Sequence, residues 1–337
     1  MKKLSTLGLI LAVLGGVRAQ EPPAEQDVVR LDPALNEVLA PDARLEKLAS
    51  GFGYIQPGIW VDEGKTGYWL FTDSVTNTFN KWTPDGTVSV VSNRADWTIW
   101  PYRRPENARI GASGVTLDSQ GRVVFCAEGD RAIVRLEKDG RRTILADRYE
   151  GKHLNSPNDL VYRSDGALYF TDPAGGERFA GFKQDLKLSY QGVFVLKDNR
   201  LRPIIRDMTR PNGIALSPDE KYLYVNDSVK RLIMRYELLP DGTVANGQVL
   251  VDMSADKTPG DPDGMKVDTN GNLYTNGPGG IWMMSPQGTH LGSLVPAEHS
   301  PGMVFGDPDR KTLYIAATTS LYRIRLKVEG VRPKISF

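Results

Sequence analysis

From Gly51 onward, short apolar runs alternate with polar turns, and the alternation itself repeats. One unit reads Pro157-Asn158-Asp159-Leu160-Val161-Tyr162, turns at Ser164-Asp165-Gly166, and continues as Leu168-Tyr169-Phe170-Thr171-Asp172. Runs of this length, rich in Tyr, Val, Ile and Phe and bounded by Asp, Asn and Gly, predict β-strands. Six such inner turns begin at Asp62, Asp118, Ser164, Ser217, Asp268 and Asp307, with spacings of 56, 46, 53, 51 and 39 residues. A β-rich period of this size predicts one four-stranded sheet per repeat, and six repeats predict a six-bladed β-propeller. The fold class is therefore all-β, and residues 51–337 form a single domain.

Pro33 to Leu48 carries the one helical stretch, with Asp32 placed to cap it and Pro33 at the first helical position. Pro41 interrupts it, which predicts two short helical pieces. A propeller must close or expose a sheet edge. Residues 44–50 are expected to close it, as the outer strand of the last blade. Inserts at 92–109 and 174–190 are expected to lie over one face.

Residues 1–19 follow a different pattern. Lys2 and Lys3 precede an apolar run, Leu7 to Val13, and Val17-Arg18-Ala19 supplies small residues at cleavage positions. This predicts a secretory signal cut after Ala19, a 20–50 extension, and an exported protein, periplasmic or secreted. The apolar run is too short for a membrane span. Removing Lys2, Lys3 and Arg18 takes the formal charge from +1 to −2. Neither value gives a reason to expect nucleic acid or an anionic membrane as partner. Cys126, the only cysteine, excludes an intramolecular disulfide and is expected as a buried thiol.

The chemistry is expected where the repeats converge. Asn158, Asn212 and Asp263 start first strands beside the axis, in Pro-Asn-Asp, Pro-Asn-Gly and Pro-Asp-Gly. Gln56, Ser113 and Gly302 fall at or beside the same place in the other blades. Asp73, Glu128, Asp172 and Asp227 finish second strands at the same end, one layer further out. Buried amides and a carboxylate without partners cost roughly 1–3 kcal/mol each. A cation or an ordered water must satisfy them. The three histidines lack metal-ligand spacing, and oxygen donors alone favour a hard divalent ion, Ca²⁺ first, with Mg²⁺ or Mn²⁺ as alternatives. The competing reading is that Asn, Asp and Gly merely make good turns between blades. Gly111-Ala112-Ser113-Gly114 lacks the spacing of a nucleophile elbow, and Asp268-Thr269-Asn270-Gly271-Asn272 lacks the later glutamate of a calcium loop.

Ser156-Pro157-Asn158-Asp159-Leu160, Arg210-Pro211-Asn212-Gly213-Ile214 and Pro262-Asp263-Gly264-Met265-Lys266-Val267-Asp268 resemble the SMP-30/gluconolactonase/luciferin-regenerating family. The stretch from Lys311 to Lys327 is similar to its gluconolactonase branch. The resemblance spans about residues 33–330. It implies one divalent cation, usually calcium, in a central channel, and hydrolysis of sugar lactones such as glucono-1,5-lactone. It implies Asn212 and Asp263 as metal ligands and Asn158 as a ligand or substrate contact. The family's remaining ligand is a glutamate, and Gln56 stands at that position. Glu128 stands where many relatives carry His, and Ser113 and Gly302 stand where relatives often carry Asn. In the mechanism this implies, the cation polarises the lactone carbonyl and Asp263 acts as general base. His153 and Asn155 would contact sugar hydroxyls at the rim. The alternatives are a phosphotriesterase-like or other ester hydrolase on the same metal site, and a non-catalytic exported binding module. The oligomeric state stays open.

Overall fold

A computed structural model describes residues 27–95, 111–174 and 188–333. The expected signal segment and the greater part of the two expected inserts lie outside the described residues. Six antiparallel sheets stand around a central channel. Blade 1 holds Ile55–Glu63, Thr66–Asp73, Thr78–Trp82 and Val88–Ser92. Blade 2 holds Ala112–Leu117, Val123–Ala127, Ala132–Leu136 and Arg142–Ala146. Blade 3 holds Leu160–Tyr162, Leu168–Asp172, Gly192–Lys197 and Arg200–Ile205. Blade 4 holds Pro211–Leu216, Tyr222–Asp227, Leu232–Leu238 and Val244–Asp252. Blade 5 begins with Met265–Val267, Leu273–Gly277, Gly280–Met284 and His290–Leu294, and blade 6 with Gly302–Gly306, Thr312–Ala317 and Ser320–Arg325. The first strand of each blade touches that of the next, and Gly302–Gly306 returns to Ile55–Glu63, so the ring is closed.

Closure uses the segment expected for it. Glu46–Ser50 pairs antiparallel with Ser320–Arg325, with Glu46 opposite Arg323. The Arg323 guanidinium donates to the Glu46 carboxylate at 2.8 and 3.0 Å. Deeper in this seam, Trp60 of blade 1 stacks on Tyr314 of blade 6 at 5.1 Å, while Trp69 and Trp82 crowd the same ring. Arg310, almost fully buried, forms an ion pair with Asp62 at 2.6 Å across the two blades. The aromatic burial supplies most of the adhesion, because such rings hide large apolar areas. Arg310 ties the blades in register.

Two features depart from expectation. Only one helical piece forms, Leu35–Val38, preceded by an Asp32 side chain that accepts the Ala34 N–H at 2.8 Å. The second piece is absent, because the residues beyond Pro41 are taken into the ring-closing strand, where interstrand pairing outweighs the weak propensity of a short helix. Val28–Arg30 also adds a fifth strand to blade 5, opposite Gly292–Leu294. Three residues are too few to display a period. Among the described residues no helix is long and apolar enough to cross a membrane.

The first strands approach the axis closely, and glycine permits it. A Cβ on Gly213 would lie 2.2 Å from the Asp263 carbonyl oxygen, and one on Gly114 would lie 2.7 Å from that of Asn158. Both neighbours are backbone and cannot swing aside. Gly213→Ala is therefore expected to destabilise the fold by about 1–3 kcal/mol. Thermal unfolding checks this against Gly121→Ala, which meets no atom within 4 Å and carries only the cost of its φ of +71°. Equal melting temperatures for the two variants would mean that the inner ring is loosely packed.

Candidate active site at the channel mouth

Because neighbouring strands are antiparallel, the starts of the first strands and the ends of the second strands meet at one end of the ring. There, Gln56, Ser113, Asn158, Asp159, Asp263, Lys266 and Pro301 line a cavity of about 20 Å³. That is room for about one water-sized sphere. Asn212 stands beside it, tied to the Asp263 strand by its bond to Ser228, which bonds the Pro262 carbonyl, and by the close approach of Gly213 to the Asp263 carbonyl. From the blade 6 side Pro301 reaches the cavity, and Gly302 brings no side-chain donor.

The asparagine amides are oriented by fixed acceptors. The Asn212 Nδ2 group donates to Ser228 Oγ at 3.1 Å, and Ser228 Oγ donates in turn to the Pro262 carbonyl at 2.7 Å. The Asn212 carbonyl accepts from Thr171 Oγ1 at 2.7 Å, which ties its backbone to blade 3. Asn226 Nδ2 donates to the Asp263 carbonyl, while its Oδ1 accepts the Gly213 N–H at 3.0 Å. Asn158 Nδ2 donates to Glu128 Oε1 at 3.1 Å and reaches Ser113 Oγ at 3.4 Å. Asn212 Oδ1 is buried and has no hydrogen-bond partner.

The outer ring of carboxylates proves to be two different things. Asp73 accepts the N–H groups of Gly53 and Tyr54 at 2.8 and 3.2 Å. Asp172 accepts those of Asn155 and Ser156, both at 2.8 Å. Asp227 accepts those of Thr209 and Arg210 at 2.7 and 3.3 Å. All three clamp the chain just before a first strand. Glu128 does not belong with them. The second strand of blade 2 ends at Ala127, which pairs with Ala112 as Asp73 pairs with Ile55 and Asp227 with Pro211. Glu128 is thus one residue further on, at the place of Ser74 and Ser228, and bonds Asn158 instead.

Burial pushes the Asp263 carboxyl up to about 7. The Asn212 side chain and the charge of Arg210 oppose the rise, while the charges of Asp159 and Glu128 add to it. Asp263 keeps a small surface toward the cavity, but protein atoms surround it so closely that desolvation prevails. Asp159, nearly fully buried, is also raised by burial, with Lys266 as its opposing charge. Its carboxylate accepts the N–H groups of Leu160 and Ile214 at 2.9 and 3.2 Å. Asp159 was not singled out in the sequence, although a signal existed: it stands where the matching motifs carry Gly213 and Gly264.

The two rim candidates are placed differently from the rest. His153 lies in a short ribbon of Arg148–Tyr149 and Lys152–His153, where Nε2 meets the Arg148 guanidinium at 2.7 Å. Burial first, then Arg148 and Arg131, lower its pKa. Among the described residues it is not part of the lining of the cavity that holds Asn158 and Asp263. Asn155 lines a wider opening of about 710 Å³ with Tyr190, Gln191, Arg206 and Thr209. Its amide already donates to the carbonyls of Tyr190 and Asp172 at 2.8 and 3.3 Å.

Among the described residues no three Asp, Glu, His or Cys side chains converge as a metal cluster. The donor set is instead mixed. A carboxylate, the orphaned Asn212 oxygen and the carboxamides of Asn158 and Gln56 fit a hard cation, which binds oxygen only.

The pH dependence of stability carries a definite sign. A carboxyl raised from 3.8 to about 7 stays protonated in the fold at pH values where the unfolded chain has released its proton. Stability of the cation-free protein is therefore expected to fall as pH rises from about 4 to about 7. In chelator, Asp263→Asn should melt higher than wild type at pH 8, by on the order of 2 kcal/mol, and alike at pH 4. Thermal unfolding at the two pH values checks it, and a variant less stable at pH 8 would contradict the assignment.

Residues 58–319 match the family model described as SMP-30/Gluconolactonase/LRE-like region. A gluconolactonase of Zymomonas mobilis is 34% identical over 316 residues, covering 90% of this chain and 87% of its own. The solved structure of a gluconolactonase from Xanthomonas campestris superposes with a TM-score of 0.74 at 29% identity, over 92% of this chain and 99% of that one. The calcium-binding protein regucalcin from Agrobacterium tumefaciens shares the fold, with a TM-score of 0.68 at 16% identity over 88% and 98% of the two chains. The chain belongs to the SMP-30/gluconolactonase/LRE-like family.

Proposed function

We propose that the protein hydrolyses sugar lactones at the channel mouth, with a divalent cation, Ca²⁺ first, held there. One observation carries the proposal: Asn212 and Asp263, from two successive blades, meet beside a one-atom cavity, with an amide oxygen buried and unpartnered. Two relatives named as gluconolactonases support the substrate class. Asn212, Asp263, Asn158 and Gln56 would hold the cation, which when bound supplies Lewis-acid polarisation of a lactone carbonyl.

The remaining work falls to side chains. Asn158 and Asn212, each fixed by an acceptor on its nitrogen, present their oxygens from a rigid frame. Preorganised groups need no rearrangement during the reaction, which is the main source of electrostatic catalysis. Asp263 acts as general base toward water. A carboxyl near neutrality is suited to that task, since it can both take and return a proton at working pH. Water adds to the carbonyl carbon as its proton passes to Asp263, the ring C–O bond breaks, and the proton goes to the departing ring oxygen. The wider opening beside blade 3, with Tyr190, Gln191 and Arg206, offers polar groups to the sugar hydroxyls. The N-terminal pattern of residues 1–19 supports action outside the cytoplasm.

Hydrolysis of glucono-1,5-lactone, followed by acid release above the spontaneous rate, tests this. Wild type is expected to be active and chelator to silence it. Asp263→Ala, shown folded by circular dichroism, should lose at least about 100-fold, the lower end of what a positioned general base contributes. Unchanged lactonase rates in that variant would refute the role. Faster turnover of phosphotriesters than of any lactone would move the substrate class.

A further inference from the structure

We propose that Glu128 carries, from blade 2, the negative charge that position 56 lacks, and that it sets the cation affinity of the site. This rests on the cation reading above. Gln56 and Asn158 are neutral, so Asp263 alone offers a full charge among the four holding residues. Asp159, the other acid at the cavity, faces Lys266 and is bonded to backbone N–H groups, so its charge is already offset within the protein. A divalent ion held by one net carboxylate in a closed space would leave an uncompensated positive charge, which costs heavily away from water.

Glu128 is positioned to supply the second charge. In blades 1 and 4 the pairing register puts Asp73 and Asp227 on the last rung of the second strand, and both clamp backbone. In blade 2 that rung holds Ala127, which has no side chain to clamp with, and the carboxylate arrives one residue later. A one-residue step at a strand end turns a side chain to another direction. Glu128 thereby bonds Asn158 across the blade boundary at 3.1 Å, and its charge reaches Asp263. It occupies the counterpart of Ser228, which accepts from Asn212 of its own blade and brings no charge. Glu128 is a positioning residue: it holds the Asn158 nitrogen, which turns the carboxamide oxygen the other way, and it adds field strength.

The two effects separate by substitution. Glu128→Gln keeps an acceptor for Asn158 and removes only the charge, while Glu128→Leu removes both. The probe is CaCl₂, titrated by calorimetry into chelator-stripped protein at low and at moderate ionic strength. Glu128→Gln is expected to weaken binding about tenfold or more, and Glu128→Leu further. Adding Gln56→Glu to Glu128→Gln should restore affinity to within about threefold of wild type. The salt dependence of binding should flatten in Glu128→Gln, which a merely structural role would not produce. Binding within twofold of wild type in Glu128→Gln, or no recovery in the double variant, overturns the inference while leaving the cation site standing. Wild type that binds no Ca²⁺, Mg²⁺ or Mn²⁺ at millimolar concentration overturns the cation reading and this inference with it. If Glu128→Leu fails to fold, the glutamine pair decides alone.

Discussion

The buried side-chain oxygen of Asn212, which has no hydrogen-bond partner, and the neighbouring Asp263 carboxyl, pushed up to about 7 by burial, form the constraint on which this site depends. Buried polar atoms are paired almost without exception, so a fold that leaves one open at its axis carries a standing cost there. The rest of the ring holds that arrangement in place. Thr171 grips the Asn212 backbone, Asn226 grips that of Asp263, and Gly213 lets the two strands come within contact distance. Without such restraint the amide would turn and bond locally. The cost is concentrated where a ligand is able to remove it.

The clamp carboxylates explain how the restraint is delivered. Asp73, Asp172 and Asp227 each fasten the segment that leads into a first strand, so the Asn or Gln that follows has little freedom. Burial raises the Asp172 carboxyl to about 7 even against its two backbone donors and Arg131. Both of its oxygens are engaged by backbone N–H groups, so its role is to stabilise a loop conformation. The acids at the channel mouth thus divide by role: clamps outside, and Asp263 with its neighbours inside.

Much of this division was legible in the sequence, and the rest failed for identifiable reasons. The six-fold period set the fold because turn residues recur at fixed offsets, and Asn158, Asn212 and Asp263 share one position within it. Glu128 was grouped with the clamps because period alone does not resolve a shift of one residue, whereas the rung Ala112 opposite Ala127 does. His153 was placed at the rim by proximity in sequence, but the ribbon that carries it folds it against Arg148. The strand Val28–Arg30 was missed because it belongs to no repeat.

Those misses have a common cause. A repeat specifies what is shared among blades, and chemistry resides where one blade departs from the others. Blade 2 departs twice: its clamp position is Ala127, and the acid that follows bonds the next blade's amide. Blade 1 brings Gln56, a carboxamide without charge, to the cavity. Taken singly, each change weakens something, a loop in one case and a charged donor in the other. Taken together, and under the cation reading proposed above, they put a negative charge at the end of the second strand of blade 2 and none on the first strand of blade 1. Where cation affinity follows the summed field more than the address of any one carboxylate, a charge at Glu128 would serve the proposed site as one on the first strand of blade 1 would.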